Sequence, residues 1–490
     1  MPQNARELAH QVLLAVENGP IGSQEALARA FAEESSAETK ASAPGHSRAL
    51  VSELVYGVLR RRRRLDHALS ELAPRGLPRD DPALLTALRI AAYQLLFMPK
   101  IPDYAAVNSG VTLVKRSLRG ARRGNLKTGR GAATVRFSNG ILRALAARRE
   151  ALSACPEGSS IAALGCRHSL PDWIVERLAA IPRGQGVLLE DMLTQENLPA
   201  PLVLRANRAR IETERLVDLL RSEGAALESV PDLPGGIVVS NPGDIFRGPS
   251  FAGGLWLPQS LASQRVVTLL DLEPGMRVLD LCAGGGVKTT QIAEIVGNAG
   301  EVHAVDVDKR KIAALRELAR RWGAECVRAE VADLTSASAP FDGLYERVLL
   351  DAPCTALGLL RRRPEVRWRR TMTDVRERAA LQAKLLAAAA RRIAPGGRLV
   401  YAVCSFTAEE GPDQVRRLLE ERSDLRLASP PTDQPRAARF GPDGFFRTGP
   451  EWGGEGDGDR FFASILHRVR GPRGVRRVQV QGNKPNRAEA

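Results

Sequence analysis

Two cysteines and an aspartate are the side chains of this sequence best suited by type and spacing to do chemistry. Cys354 closes the apolar stretch "RVLLDAPC", three residues after Asp351, and Cys404 closes "RLVYAVC". A thiolate is the nucleophilic form of cysteine, and basic neighbours favour it over the thiol. Arg361, Arg362 and Arg363 follow Cys354 closely. Taken singly, each cysteine reads as a small buried hydrophobe. A pair at the ends of adjacent strands, one preceded by Asp-Ala-Pro, reads as reactive. Cys155, Cys166 and Cys326 lack such a context and read as ordinary small hydrophobes. There is no CxxC pair and no Cys/His cluster at zinc spacing, so no metal is expected, and the six cysteines are too sparse for a disulfide framework.

Another apolar stretch runs into "LDLCAGGGVKTT". Gly284, Gly285 and Gly286 let the backbone turn tightly and come close to a ligand, and the helix that follows offers free N–H groups. Asp306 ends "EVHAVD" roughly 20 residues later, where an acid suits the two hydroxyls of a ribose. The loop has neither GxGxxG nor GxxxxGK[ST] spacing, which disfavours dinucleotides and a phosphate cradle. S-adenosylmethionine is the nucleoside ligand that remains. Cys282, Ala283, Gly284, Gly285, Gly286, Val287, Lys288, Asp306 and Asp351 are the residues expected around it.

These groups must be positioned by strands and helices that alternate from about residue 264. The expected strands are "MRVLDLCA", "EVHAVDVD", "AECVRAEV", "RVLLDAP", "RLVYAVCS" and "RFFASILHRV". The helices between them are "VKTTQIAEIV", "KRKIAALRELARRWG" and "ERAALQAKLLAAAARRIA". Continuous apolar strands with helical crossovers imply an α/β domain, a mostly parallel doubly wound sheet covered on both faces. Ligands of such sheets sit beyond the carboxyl ends of the strands. Upstream, residues 1–150 carry only helical periodicity and predict an all-α bundle. Residues 160–250 mix helices ("SLPDWIVERLAAI", "ETERLVDLLRSEGA") with short strands ("APLVLRANRAR", "GGIVVSN") and predict a small α+β module. The catalytic-type domain is expected over 251–469. The tail, 470–490, is basic and rich in Gly, Pro and Asn, and is expected to be disordered.

The chain carries 71 Lys+Arg against 56 Asp+Glu, a formal +15, which favours a polyanionic partner such as nucleic acid. An Arg-rich codon bias could supply part of that excess. Lys115 to Arg136 holds eight basic residues and no acid. It reads either as a solvated loop or as a phosphate-contacting insertion led by Lys115, Arg122 and Arg123. No apolar run approaches the ~20 residues of a membrane span, and the first residues lack a signal-peptide pattern, so a cytoplasmic protein with no membrane association is expected.

The same motifs carry a resemblance. "LDLCAGGGVKTT", "AVDVD", "LLDAPCTALGLLRRRPEVRW" and "YAVCSFTAEE" resemble motifs I, II, IV and VI of RNA 5-methylcytosine methyltransferases. "LPDWIVERL", "PLVLRANR" and "WLPQSLASQ" are similar to the segment that precedes the catalytic domain in a ribosomal-RNA branch of that family. "YGVLRRRRRLDHAL", "AAYQLLFMPKIPDYAAVNSGV" and "FSNGILRAL" resemble its NusB-like helical domain.

The resemblance implies a Rossmann-like class I methyltransferase domain that methylates C5 of a cytidine in RNA, 16S rRNA foremost. Transfer RNA, another RNA, or a catalytically weakened RNA-binding paralogue are the alternatives; a DNA cytosine methyltransferase would leave Cys404 unexplained. It implies that Cys404 adds to C6, that Asp351 contacts the pyrimidine N3 edge, that Cys354 assists release of the adduct, and that Lys288 lies by the methionine moiety and the target. Arg361, Arg362 and Arg363 are expected to meet RNA, with an assembling small subunit as a further partner, and the chain is expected to be a monomer. The sequence departs from the family at Val287, where glycine is usual, and at Val331, where a motif III acid would fall; Asp333 takes that role after a local shift. Thr355-Ala356 and Arg460 are further departures.

Overall fold

The computed structural model describes residues 5–37, 45–120, 129–182, 187–336, 343–430, 437–452 and 458–470. Arg122, Arg123 and the 471–490 tail lie outside these residues, so the expectations for them have no structural counterpart.

The chain begins with the helices α1 (Ala5–Asn18), α2 (Ser23–Ala37), α3 (Gly45–Ser70), α4 (Pro82–Phe97), α5 (Asp103–Gly120) and α6 (Gly129–Ala147). Asp81 caps α4 by accepting the Leu84 N–H at 3.0 Å, and Pro82 occupies the first turn, where a missing N–H does no harm. Every residue of α4 from Leu84 to Leu95 is buried, as befits the helix at the centre of a bundle. Its buried Arg89 is matched by Asp66 at 2.8 Å through both Nε and Nη2. Gly57 of α3 is required by this packing: a Cβ there would sit 2.0 Å from the Tyr93 ring.

The next unit holds a four-stranded antiparallel sheet of order β2-β3-β1-β4, from β1 (Leu202–Ala206), β2 (Ala226–Ser229), β3 (Gly236–Asn241) and β4 (Trp256–Pro258). Strand alternation divides β1 between two neighbours. Leu204 and Ala206 join a core with Leu216, Leu220 and Trp256. Arg205 points the other way, to Gln259 Oε1 (2.6 Å), Thr290 Oγ1 (2.7 Å) and Glu294 (2.8 Å). It thereby ties this sheet to the helix Val287–Val296, the one that bears Lys288.

The remaining strands are β5 (Arg277–Leu281), β6 (Glu301–Asp306), β7 (Val327–Val331), β8 (Tyr345–Asp351), β9 (Ile393–Val403), β10 (Leu425–Leu427), β11 (Phe446–Arg447) and β12 (Phe462–Arg468). They form a sheet of order β10-β12-β9-β8-β5-β6-β7, with β11 paired to β12. From β9 to β7 the neighbours run parallel, whereas β12 runs antiparallel to β9 and β10 antiparallel to β12. Chain order reverses at β5, between β6 and β8, which makes the crevice above β5 and β8 the natural ligand position. Both faces are covered: Leu279, Leu281, Val348, Leu350, Leu399 and Tyr401 pack on one side, and Val278, Leu349, Val400 and Ala402 on the other.

Two boundaries differ from the sequence reading. The crossover helix runs Met372–Ala390, and β9 begins at Ile393, taking in Pro395-Gly396-Gly397. The pairing jumps from Tyr345↔Ile393 to Arg347↔Arg398, so the Pro-Gly-Gly residues are absorbed as a bulge, with Gly396 at φ +81. Short strands β2 and β4 had no expected counterpart.

The arginine run of α3 is spent inside the molecule. Arg63 reaches Leu170 O and Asp172, both at 2.6 Å, Arg64 reaches Ser153 O at 2.8 Å, and Arg62 pairs with Glu17 at 2.9 Å. Arg367, fully buried after β8, completes the joint. Its guanidinium donates to Arg60 O (3.2 Å) of α3, to Asn197 Oδ1 (3.1 Å) and Glu196 O (3.0 Å), and to Leu360 O (3.3 Å). Trp368 Nε1 adds a bond to Leu59 O at 2.7 Å. Arg367→Ala leaves several buried carbonyls without donors. It is expected to cost about 3 kcal/mol, read as a fall in the urea midpoint of unfolding.

Candidate active site

The parallel pairing of β8 with β9 sets Asp351 opposite Ala402, and Ala352 N–H donates to Ala402 O at 2.9 Å. Both strands therefore end at one level, and the loops that leave them meet. Gly358 N–H donates to Cys404 O at 2.9 Å, and Cys354 Sγ lies 3.2 Å from Cys404 Sγ. Neither thiol is sealed; both are half-buried. The loop after Cys354 turns through Ala356 at φ +60, the left-handed region that favours glycine.

Lys288, in the first turn of its helix, reaches across to Asp351, with Nζ 2.6 Å from Oδ2. The Lys288 Nζ also lies 5.4 Å from the centroid of Phe461, a residue the sequence did not single out. Burial works against the ammonium, but the charge and hydrogen bond of Asp351, with Cys404 and Asp280 nearby, hold its pKa above the ordinary value. Cys354 behaves oppositely to the sequence expectation. Its hydrogen bond with Cys404, then burial, then the charges of Cys404 and Glu410, push the Cys354 thiol well up rather than down.

The arginines that were expected to lower it, and to meet RNA, are placed elsewhere. Arg361 is buried and donates to Pro199 O at 2.9 Å. Arg362 is taken by Asp459 at 2.7 Å and Pro201 O at 2.9 Å. Only Arg363 of the three faces solvent, beside Glu365 at 3.7 Å. Arg361 and Arg362 are corrected from RNA contacts to internal struts. Lys115 is exposed on α5, in the helical unit.

On the other side of the switch point, the loop after β5 turns through Cys282 (φ +60), Gly284 (φ +59) and Gly286 (φ +87). A Cβ on Gly286 would sit 2.7 Å from Leu315, whereas nothing lies within 4 Å of one on Gly285. The loop thus packs below and opens above. Val287 takes no positive φ; it begins the helix, and the left-handed step falls on Gly286. The strain that Val287 could have brought is absent. Asp306 stands at the rim and accepts Gly284 N–H and Asp308 N–H, each at 2.9 Å.

Beside it, Val307 and Val331 leave 67% and 37% of their surfaces exposed at adjoining strand ends, an apolar lip of the size an aromatic base could cover. Val331 pairs with Asp306. Asp333 is exposed, its carboxylate held by Thr335 N–H at 2.8 Å and Thr335 Oγ1 at 2.7 Å. An open glycine cradle, a carboxylate at a strand end and an apolar lip fit a nucleoside such as S-adenosylmethionine. Among the described residues no His/Cys/Asp/Glu group could hold a metal, and no helix is long and apolar enough to cross a membrane.

Two further cysteines prove less ordinary than expected, since Cys166 Sγ lies 3.2 Å from Cys155 Sγ.

Comparison with known proteins adds to this geometry. Residues 267–467 match the family described as "16S rRNA methyltransferase RsmB/F". Residues 3–147 match the NusB family, and residues 170–246 match the "Methyltr_RsmF/B-like, ferredoxin-like domain". A Synechocystis sp. protein named "Probable ribosomal RNA small subunit methyltransferase B" is 32% identical over 77% of this chain and 82% of its own. The ribosomal RNA small subunit methyltransferase B of Salmonella paratyphi B is 31% identical over 79% of this chain and 86% of its own. The crystal structure of PH0851 superposes with a TM-score of 0.77 and 25% identity, covering 96% of this chain and 99% of that one.

Asp280, beneath the cradle, offers a test. Burial raises its pKa from the ordinary 3.8 to about 7, against the hydrogen bond from Thr289, and its Oδ1 has no partner. A carboxyl raised on folding binds its proton more tightly in the folded state. Stability should therefore fall as pH rises from about 4 to about 7 and level off above. Asp280→Asn is expected to remove that slope, so that the gain in melting temperature is larger at about pH 8 than at about pH 5.

Proposed function

This chain belongs to the ribosomal RNA small subunit methyltransferase B family, and from that membership we propose that it methylates C5 of a cytidine in 16S rRNA through a covalent bond between Cys404 and C6. The observation that carries this reading is the contact of two half-buried thiols, 3.2 Å apart, beside a Lys288–Asp351 pair.

A cytosine C5 is a poor nucleophile. Addition of the Cys404 thiolate to C6 forms an S–C6 bond and moves the electron pair of the C5–C6 double bond toward C5 and N3. S-adenosylmethionine, when bound, supplies an electrophilic methyl group. Asp351 would meet the N3 edge of the base, and Lys288 holds that carboxylate in place. After methylation solvent water takes the C5 proton and leaves the C5–H electron pair behind, and the Cys404 sulfur departs as the thiolate. The pair returns to re-form C5=C6 as the bond to Cys404 breaks. Cys354 carries the proton-bearing sulfur nearest Cys404 and assists this release. The base has to leave its stack to reach the thiols.

The cradle from Cys282 to Lys288, with Asp306, would hold the donor, and Asp333 would sit at its adenosine end. The helical unit of residues 5–147 would bind RNA by charge, including Lys115. A cytoplasmic setting follows from a ribosomal substrate.

Cys404→Ala is expected to abolish methylation of 16S rRNA in vitro. Cys354→Ala is expected to trap an enzyme–RNA adduct, seen as a retarded band on a denaturing gel. Methylation by Cys404→Ala would remove the nucleophile from the scheme.

A further inference from the structure

Glu410 is completely buried, yet none of the groups that bond to it is a cation. Its Oε1 accepts from Thr355 N–H at 2.7 Å and from Gln382 Nε2 at 3.2 Å. Its Oε2 accepts from Thr355 Oγ1 at 2.5 Å, Ser405 Oγ at 2.6 Å and Thr407 Oγ1 at 3.0 Å. The backbone N–H and the amide nitrogen can only donate, and three hydroxyls converge on the other oxygen. Five groups able to donate, shared between the two oxygens, suit the ionised carboxylate. Thr355 adjoins Cys354 and Ser405 adjoins Cys404, so one side chain grips both thiol-bearing loops. Gln382 also donates to Pro353 O at 3.0 Å, which fixes the residue before Cys354 as well.

We propose that Glu410 is a positioning residue that sets the two cysteine loops against each other and, with its side chain on the Cys354 side of the pair, favours the proton on that sulfur. The proposal rests on Cys404 being the nucleophile. Two sulfurs in contact cannot both be anionic at low cost, so one proton is retained between them. The surroundings decide which sulfur keeps it. Behind Cys354 lies the Glu410 carboxylate; toward Cys404 lies the Lys288 ammonium.

The other ionisable groups around the loops are matched. Lys288 meets Asp351 at 2.6 Å, Arg370 meets Asp374 at 3.3 Å, and Arg177 meets Glu409 at 3.0 Å. Arg370 also donates to Thr355 O at 3.2 Å, and Tyr401, a neutral phenol, donates to Glu410 O at 2.5 Å. Among the described residues Glu410 is the carboxylate of this group without a cationic partner. Burying a charge in this way is costly. A neutral tether would avoid that cost, which points to the charge itself as the selected feature.

Glu410→Gln separates charge from tether. Its carbonyl can face the two obligate donors while its NH2 meets hydroxyls, which can rotate to accept. In a full-length Cys404→Ala background, alkylation of Cys354 by iodoacetamide is followed against pH by peptide mass spectrometry. Adding Glu410→Gln is expected to lower the midpoint by about one pH unit. Superimposed profiles would overturn the charge role.

With both cysteines present, Glu410→Gln is expected to lower kcat about tenfold with KM for RNA and for S-adenosylmethionine unchanged. Thr355→Ala removes a tether and keeps the charge: kcat should fall while the Cys354 midpoint stays in place. Wild-type turnover in Thr355→Ala would overturn the positioning role, and it remains readable should Glu410→Gln not fold. Methylation by Cys404→Ala alone would instead overturn the nucleophile assignment, leaving the alkylation profiles to speak for Glu410.

Discussion

The parallel ladder between β8 and β9 is the constraint from which the site follows. Side chains alternate along a strand, so a slip of one residue would turn Asp351 and the residues leading to Cys404 to opposite faces. The register is fixed by burial on both sides. Val348, Leu350, Leu399 and Tyr401 fill one core, and Leu349, Val400 and Ala402 fill the other. Neither strand can move without exposing apolar surface at roughly 25 cal/mol per Å². That rigidity brings two sulfurs, fifty residues apart in sequence, into contact.

The rest of the chain braces this ladder. Arg205 reaches from the small antiparallel sheet to the Lys288 helix, and Arg367 fastens the segment after Cys354 to α3 and to residues 196–197. Arg460 is a third buried strut, bonded to Glu451 at 3.0 Å and to Glu196, while its own N–H donates to Gly358 O at 2.9 Å. These guanidiniums have planar, multiple donors suited to joining several carbonyls at once. A good part of the positive charge of the chain is therefore structural, and the net +15 overstates what is free to meet a polyanion.

Most of the catalytic-type sheet was legible because its signals are local. Apolar runs ended by Asp-Ala-Pro-Cys, Cys-Ser and Gly-Gly-Gly mark strand ends whatever else the chain does, and the helix Val287–Val296 begins and ends where its periodicity does. What escaped depended on distant partners. Arg361 and Arg362 look like any basic run until Pro199, Pro201 and Asp459 are brought to them. Gly396-Gly397 reads as a turn, and only pairing with β8 makes it a bulge. Glu410 stands in the sequence only as the last residue of "YAVCSFTAEE". Its role depends on Thr355 and Gln382, which reach it from other parts of the chain.

The most direct test of the covalent scheme is to locate the bond. An RNA substrate carrying 5-fluorocytidine cannot lose the C5 substituent, so the methylated adduct should persist after digestion with ribonuclease and protease. Mass spectrometry should find the modified nucleotide on the peptide that contains Cys404. Finding it on the peptide of Cys354, or finding methylated RNA with no peptide attached, would contradict the account.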